Sequence, residues 1–90
     1  MEFGFLGPLT AVRDGTSLPL GGPRQRAVLA RLLLDPGRVV PVDVLINDVW
    51  GGEPPETAAK TLQKYVSQLR KSLGPQVGIH EAHAGDVALR

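Results

Sequence analysis

Glycine and proline interrupt this chain at such short intervals that it has room only for brief strands and three short helices. Asp14-Gly15, Gly21-Gly22-Pro23, Asp35-Pro36-Gly37, Gly51-Gly52 and Gly74-Pro75 stand between its apolar stretches. An Asp-Gly pair supplies the positive φ angles of a tight hairpin turn. Leu9-Thr10-Ala11-Val12 and Thr16-Ser17-Leu18 are therefore expected as antiparallel strands around Asp14-Gly15, with Phe3-Gly4-Phe5-Leu6 as a further run of the same N-terminal meander. Gly21-Gly22 ends that meander. Pro23 then stands where proline is favoured, in the first turn of a helix.

From Arg24 to Leu34, helical spacing puts Ala27, Val28, Leu29, Leu32, Leu33 and Leu34 on a broad apolar face, with Arg24, Arg26 and Arg31 on the more solvated side. Asp35-Pro36-Gly37 stops this helix, and Val39-Val40 makes a two-residue bridge at most. A second helix is expected from Val42 to Trp50, carrying Leu45, Ile46, Val49 and Trp50 inward, with Asp43 in the first turn where the helix dipole favours an acid. Glu53-Pro54-Pro55 is a stiff connector. Thr57 is expected to cap a third helix that runs to Leu73 and closes at Gly74-Pro75. The tail from Ile79 to Leu89 alternates loosely around Ala84-Gly85-Asp86 and reads as a small hairpin. The expected class is α+β: one domain over 1–90, with a sheet over 1–20, a three-helix core over 23–74 and a terminal hairpin over 76–90.

The chain has 90 residues, no cysteine and a formal net charge of +1. Disulfides and thiolate metal sites are excluded. No run approaches the roughly 18 apolar residues of a spanning helix, and Met1-Glu2-Phe3 is no basic leader, so a soluble cytoplasmic protein is expected. The near-even charge balance conceals a local one. Thr57–Gly74 holds Lys60, Lys64, Arg70 and Lys71 and no acid, leaving all nine acids to the rest of the chain. A neutral protein with one basic helix is what docking a single element on phosphates requires.

Placed at 100° steps, the third helix turns Ala58, Leu62, Tyr65, Val66, Leu69 and Leu73 to one side. Lys60, Lys64, Ser67 and Lys71 lie opposite, flanked by Thr57, Thr61, Gln63, Gln68 and Arg70. A donor-rich helix that follows another helix and a turn is the helix-turn-helix arrangement. In the major groove, lysine donates to guanine acceptors and glutamine brackets adenine, while hydroxyls and cations at the helix edge hold phosphates. An ordinary solvated face is the competing account; solvated helices, however, favour Glu–Lys pairs four apart, and this helix has no acid to form one. His80, Glu81 and His83 make a poor metal site on a hairpin, and no Gly-Lys-Ser/Thr follows the glycines, so no catalytic residue, metal or cofactor is implied. Trp50 reads as a plug between helices. The alternative function is a module of the same fold used for protein contact, with DNA binding lost.

In order, Phe3-Gly4-Phe5-Leu6-Gly7-Pro8-Leu9, Leu20-Gly21-Gly22-Pro23-Arg24-Gln25-Arg26, Val42–Gly51 and Leu62-Gln63-Lys64-Tyr65-Val66-Ser67-Gln68-Leu69-Arg70-Lys71 resemble the OmpR/PhoB-type winged helix. More narrowly they resemble the N-terminal domain of the Streptomyces antibiotic regulatory proteins (SARPs). The resemblance implies a winged helix-turn-helix in which the hairpin is a wing touching the minor groove. It implies base contacts from Lys64, Gln63 and Gln68, backbone contacts from Lys60, Thr61, Ser67 and Arg70, and Tyr65 at the boundary; Thr57 and Lys71 join the backbone set as a hydroxyl and a cation at the helix edges. It also implies double-stranded promoter DNA with direct repeats as ligand, head-to-tail pairing on that DNA, recruitment of RNA polymerase holoenzyme, and activation of antibiotic-biosynthesis genes. The family's wing carries an arginine before a Gly-Tyr pair. Here Ala82-His83-Ala84-Gly85-Asp86 stands instead, leaving His83 as the substitute and Asp86 as a charge that would repel phosphate if turned towards it.

Overall fold

Two small antiparallel sheets flank three helices. The computed structural model describes residues 2–4, 9–74, 77–81 and 85–89. The first sheet joins β1 (Glu2–Gly4), β2 (Thr10–Arg13) and β3 (Thr16–Ser17) in that order. Arg13 pairs with Thr16 across a two-residue turn in which Asp14 and Gly15 take φ values of 52° and 80°. Both central residues lie in the left-handed region, as the hairpin geometry demands. Phe5–Pro8, the rest of the expected first run, lie outside the described residues.

α1 (Pro23–Leu34) opens with proline at its first turn, as expected. Val28, Leu29 and Leu32 are fully buried, and Ala27 and Leu33 are half-buried. Leu34 departs from the expectation at 73% exposed. Two positions past Leu32 is about 200° around the helix, so its side chain faces away from the core. Gln25, on which the spacing was silent, is buried because it precedes Leu29 by one turn on the same stripe.

β4 (Val39–Val40) is the two-residue strand the sequence allowed, and α2 (Val42–Trp50) follows it with Leu45 buried. α3 (Ala58–Leu73) buries Ala58, Leu62, Val66, Leu69 and Leu73 and leaves Tyr65 half-buried, on the face its spacing set. β5 (Ile79–Glu81) and β6 (Val87–Leu89) form the terminal hairpin, Ile79 opposite Leu89. β6 lies between β4 and β5, so the hairpin is zipped onto the strand that precedes α2. Val40, Ile79, Val87 and Leu89 thereby join the helical leucines in one core, against which Trp50 and Tyr65 pack from its edge. Among the described residues no helix is long and apolar enough to cross a membrane.

Thr57 occupies the position before α3, but its side chain makes no capping bond. Its φ of −88° and ψ of 11° are not the extended values that aim a cap hydroxyl at the next amides. The helix starts instead from a backbone turn, in which the Ala58 amide donates to the Pro55 carbonyl at 3.0 Å.

Candidate nucleic-acid interface

With one side of α3 packed into the core, the opposite side is presented whole. Lys60, Gln63, Lys64, Ser67, Gln68, Arg70 and Lys71 are all exposed, Thr61 is half-buried, and Thr57 lies exposed just ahead of the helix. These are the residues the sequence singled out, and the fold brings them onto one convex surface sixteen residues long. At about 10–12 Å across with its side chains, such a helix suits the roughly 12 Å width of a major groove. No acid interrupts it, and the basic last turn, Arg70 and Lys71, favours the negative end of the helix dipole.

The two flanks of α3 are held differently. On one, Arg70 Nε donates to the Ile79 carbonyl at 2.8 Å, tying the helix to the start of the hairpin. Part of a side chain expected on phosphate is thus also a structural strut. On the other flank, Tyr65 stacks on Trp50 with ring centroids 6.2 Å apart and planes 17° from parallel. Trp50 is the plug between α2 and α3 that its spacing suggested, and it fixes the Tyr65 ring at the boundary of core and surface. The C-terminal end of α3 is closed by Arg13, whose Nη2 lies 3.5 Å from the Ser72 carbonyl.

The hairpin is fixed to α2 as well. Asp86 Oδ1 accepts the Val42 amide at 2.9 Å, so a carboxylate from the hairpin caps the helix at its positive end. This corrects the concern that Asp86 faces phosphate: it is turned inward, onto an amide left over at a helix start behind Pro41, a residue with no side-chain acceptor. His83, the expected wing contact, lies outside the described residues, as do its neighbours Ala82 and Ala84. Among the described residues no group of three or more acidic or histidine side chains is placed to hold a metal.

One neighbour of this surface went unnoticed in the sequence. Arg24 and Gln25, at the start of α1, line an open cleft together with Tyr65 and Gln68. The signal was present: a glutamine on an otherwise apolar stripe, behind Gly-Gly-Pro and next to an arginine.

This architecture has close counterparts. Residues 15–83 match the family described as "Transcriptional regulatory protein, C terminal". The regulatory protein AfsR of Streptomyces coelicolor is 47% identical over all 90 residues, which span 9% of its own length. The transcriptional regulatory protein EmbR of Mycobacterium tuberculosis is 50% identical over 74 residues, covering 82% of this chain and 19% of EmbR. DnrI of Streptomyces peucetius is 40% identical over 88 residues, 97% of this chain and 32% of its own length. The solved structure of M. tuberculosis EmbR in complex with a low-affinity phosphopeptide superimposes with a TM-score of 0.76 at 51% identity, over 81% of this chain and 19% of that one. The chain therefore spans less than a third of the length of each of these relatives. The family is one of transcriptional regulatory proteins, and these relatives are named as regulatory proteins. The chain belongs to this family: it is an OmpR/PhoB-type winged-helix, DNA-binding domain of a SARP-type transcriptional regulator.

Proposed function

We propose that this chain recognises promoter DNA by sequence, with α3 in the major groove, and activates antibiotic-biosynthesis genes. The observation that carries the reading is the division of α3 into a buried apolar side and an exposed side with four cations, three glutamine or serine side chains and no acid. Lys64, near the centre of that side, donates to guanine, and Gln63 and Gln68 on either side bracket adenine. Thr57, Lys60, Thr61, Tyr65, Ser67, Arg70 and Lys71 hold the sugar-phosphate backbone. His83 serves as the minor-groove contact in place of arginine. Two copies lie head to tail on direct repeats in the cytoplasm and recruit RNA polymerase holoenzyme, as the resemblance to SARPs implies.

The test begins with duplexes selected by the chain from a random library. Binding is then measured on every single-base variant of the selected site. Lys64→Ala and Gln68→Ala should each relax preference at one or two neighbouring positions, each good base contact discriminating by about 1–3 kcal/mol. Random duplex should be bound nearly as before. Identical preference profiles for the variants and the wild type would remove α3 as the reader. Failure to enrich any duplex would leave the protein-contact module as the better account.

A further inference from the structure

We infer that Arg70 positions the terminal hairpin while it meets DNA: one edge of its guanidinium holds the Ile79 carbonyl, and another takes a backbone phosphate. Phosphate binding and hairpin docking then reinforce each other. The inference rests on the DNA-binding reading above, from which it takes the phosphate.

β5 is an edge strand, paired with β6 on one side. In an extended strand the amide and carbonyl of one residue point the same way. The Ile79 amide donates to the Val77 carbonyl at 3.1 Å, and the Ile79 carbonyl accepts from Arg70 Nε at 2.8 Å. Both groups therefore turn off the free edge of the sheet, where the carbonyl would otherwise be left to water. Among the described residues no other side-chain hydrogen bond joins α3 to the hairpin. The connection from α3 to β5 begins at Gly74, with a φ of 73°, and ends at Gly78. Glycine leaves the backbone permissive at both ends of that connection, so a side-chain bond is what sets the edge of β5 against the helix.

A guanidinium carries five N–H groups in a planar fork. With Nε engaged by Ile79, the edge formed by the two Nη groups is left over, and that edge takes a phosphate by two parallel bonds. Arg70 is exposed, and among the described residues no carboxylate pairs with it. The open cleft of about 280 Å³ beside it is walled by Gly74, Val77, Gly78 and Ile79, with no acid to repel a phosphate. A lysine would supply the charge at this position but could not serve both partners from one fixed geometry. Ordering a long side chain costs entropy, and the Ile79 bond has ordered this one before DNA arrives. The coupling is reciprocal by linkage: whatever the hairpin bond adds to phosphate affinity, the phosphate adds to the hairpin bond.

Hydrogen exchange and duplex binding on the 90-residue chain test the coupling. With a duplex selected by the chain, the amides of β5 and β6 should gain protection by about fivefold or more, the low end of coupling between two sites. Arg70→Lys keeps the charge and removes the fork. Its salt slope should match the wild type, its duplex affinity should fall about fivefold, and its hairpin should gain little protection on binding. Arg70→Ala should also flatten the dependence of log K on log salt by about 0.9. In the wild-type protein, the Arg70 Nε–H resonance should be resolved without DNA and persist with it, while the Nη resonances should sharpen only when duplex is added; this measurement does not depend on how the variants fold. Equal gains of hairpin protection in wild type and Arg70→Lys would refute the coupling. A wild-type salt slope in Arg70→Ala, or Nη resonances unmoved by duplex, would take the phosphate away from Arg70. In each of these cases recognition by α3 through Lys64 stands. If no duplex is bound, the coupling and the DNA-binding reading fall together.

Discussion

Asp86 is a residue whose role cannot be read from its neighbours in the chain. By position it is an acid at the bend of a hairpin; in the fold it is the cap of a helix that begins 44 residues earlier. Asp86→Ala leaves the Val42 amide without its acceptor and should cost about 0.5–2 kcal/mol, the range for losing a helix cap. Asp86→Asn keeps an acceptor and loses only the charge at the helix start, so it should cost less. Urea melts of the three proteins check the order, and an Asn variant as weak as the Ala variant would show that charge, not the hydrogen bond, does the capping. Arg70 shows the same division of labour. Its Nε is spent on Ile79, so its guanidinium is held in a fixed position rather than on a mobile stem. Thr57 is the converse: a residue type that favours caps, in a backbone conformation that keeps its side chain from acting as one.

At the scale of the element, α3 was legible almost entirely. Its period assigns the buried positions Ala58, Leu62, Val66, Leu69 and Leu73 correctly because burial on a helix follows from spacing, while Thr61 and Tyr65 at the margins are half-buried. Leu69 is fully buried in the core that Trp50 packs against, so Leu69→Ala should cost about 2–5 kcal/mol in urea unfolding. A loss below about 1 kcal/mol would be out of line for a truncated core leucine and would mean that helix is wrongly faced. α1 was less legible. Its first three leucine and valine core positions follow the period, but Leu34 turns to solvent and Gln25 turns in. Counting apolar residues overstated the stripe at one end, and discounting a polar residue shortened it at the other.

The whole molecule joins these pieces through few long-range bonds. Arg70 ties α3 to the hairpin, Asp86 ties the hairpin to α2, and β6 pairs with the strand that leads into α2. α3 and the terminal hairpin are therefore parts of one framework rather than independent arms. Duplex binding should register its cations together. With Lys60, Arg70 and Lys71 each on a phosphate, log K should fall with log salt at a slope near −2.7, about −0.9 for each contact. A slope near −1, measured by anisotropy across a salt series, would leave a single phosphate contact and contradict the backbone assignments.

What the sequence determined by itself is local. Gly and Pro set where elements stop, Asp14-Gly15 set a hairpin, and the spacing of leucines and lysines set the two sides of α3. Such features depend on residues within a turn or two of one another, and backbone geometry relates them without reference to the rest of the chain. Tertiary structure alone decided which polar groups meet: Asp86 with Val42, and Arg70 with Ile79. Those meetings depend on how apolar faces pack, since burying the leucines brings remote backbone amides and side chains within reach of one another. Periodicity records that a face is apolar, but not which partner it will find, and so the polar contacts at its margins become visible only in the folded chain.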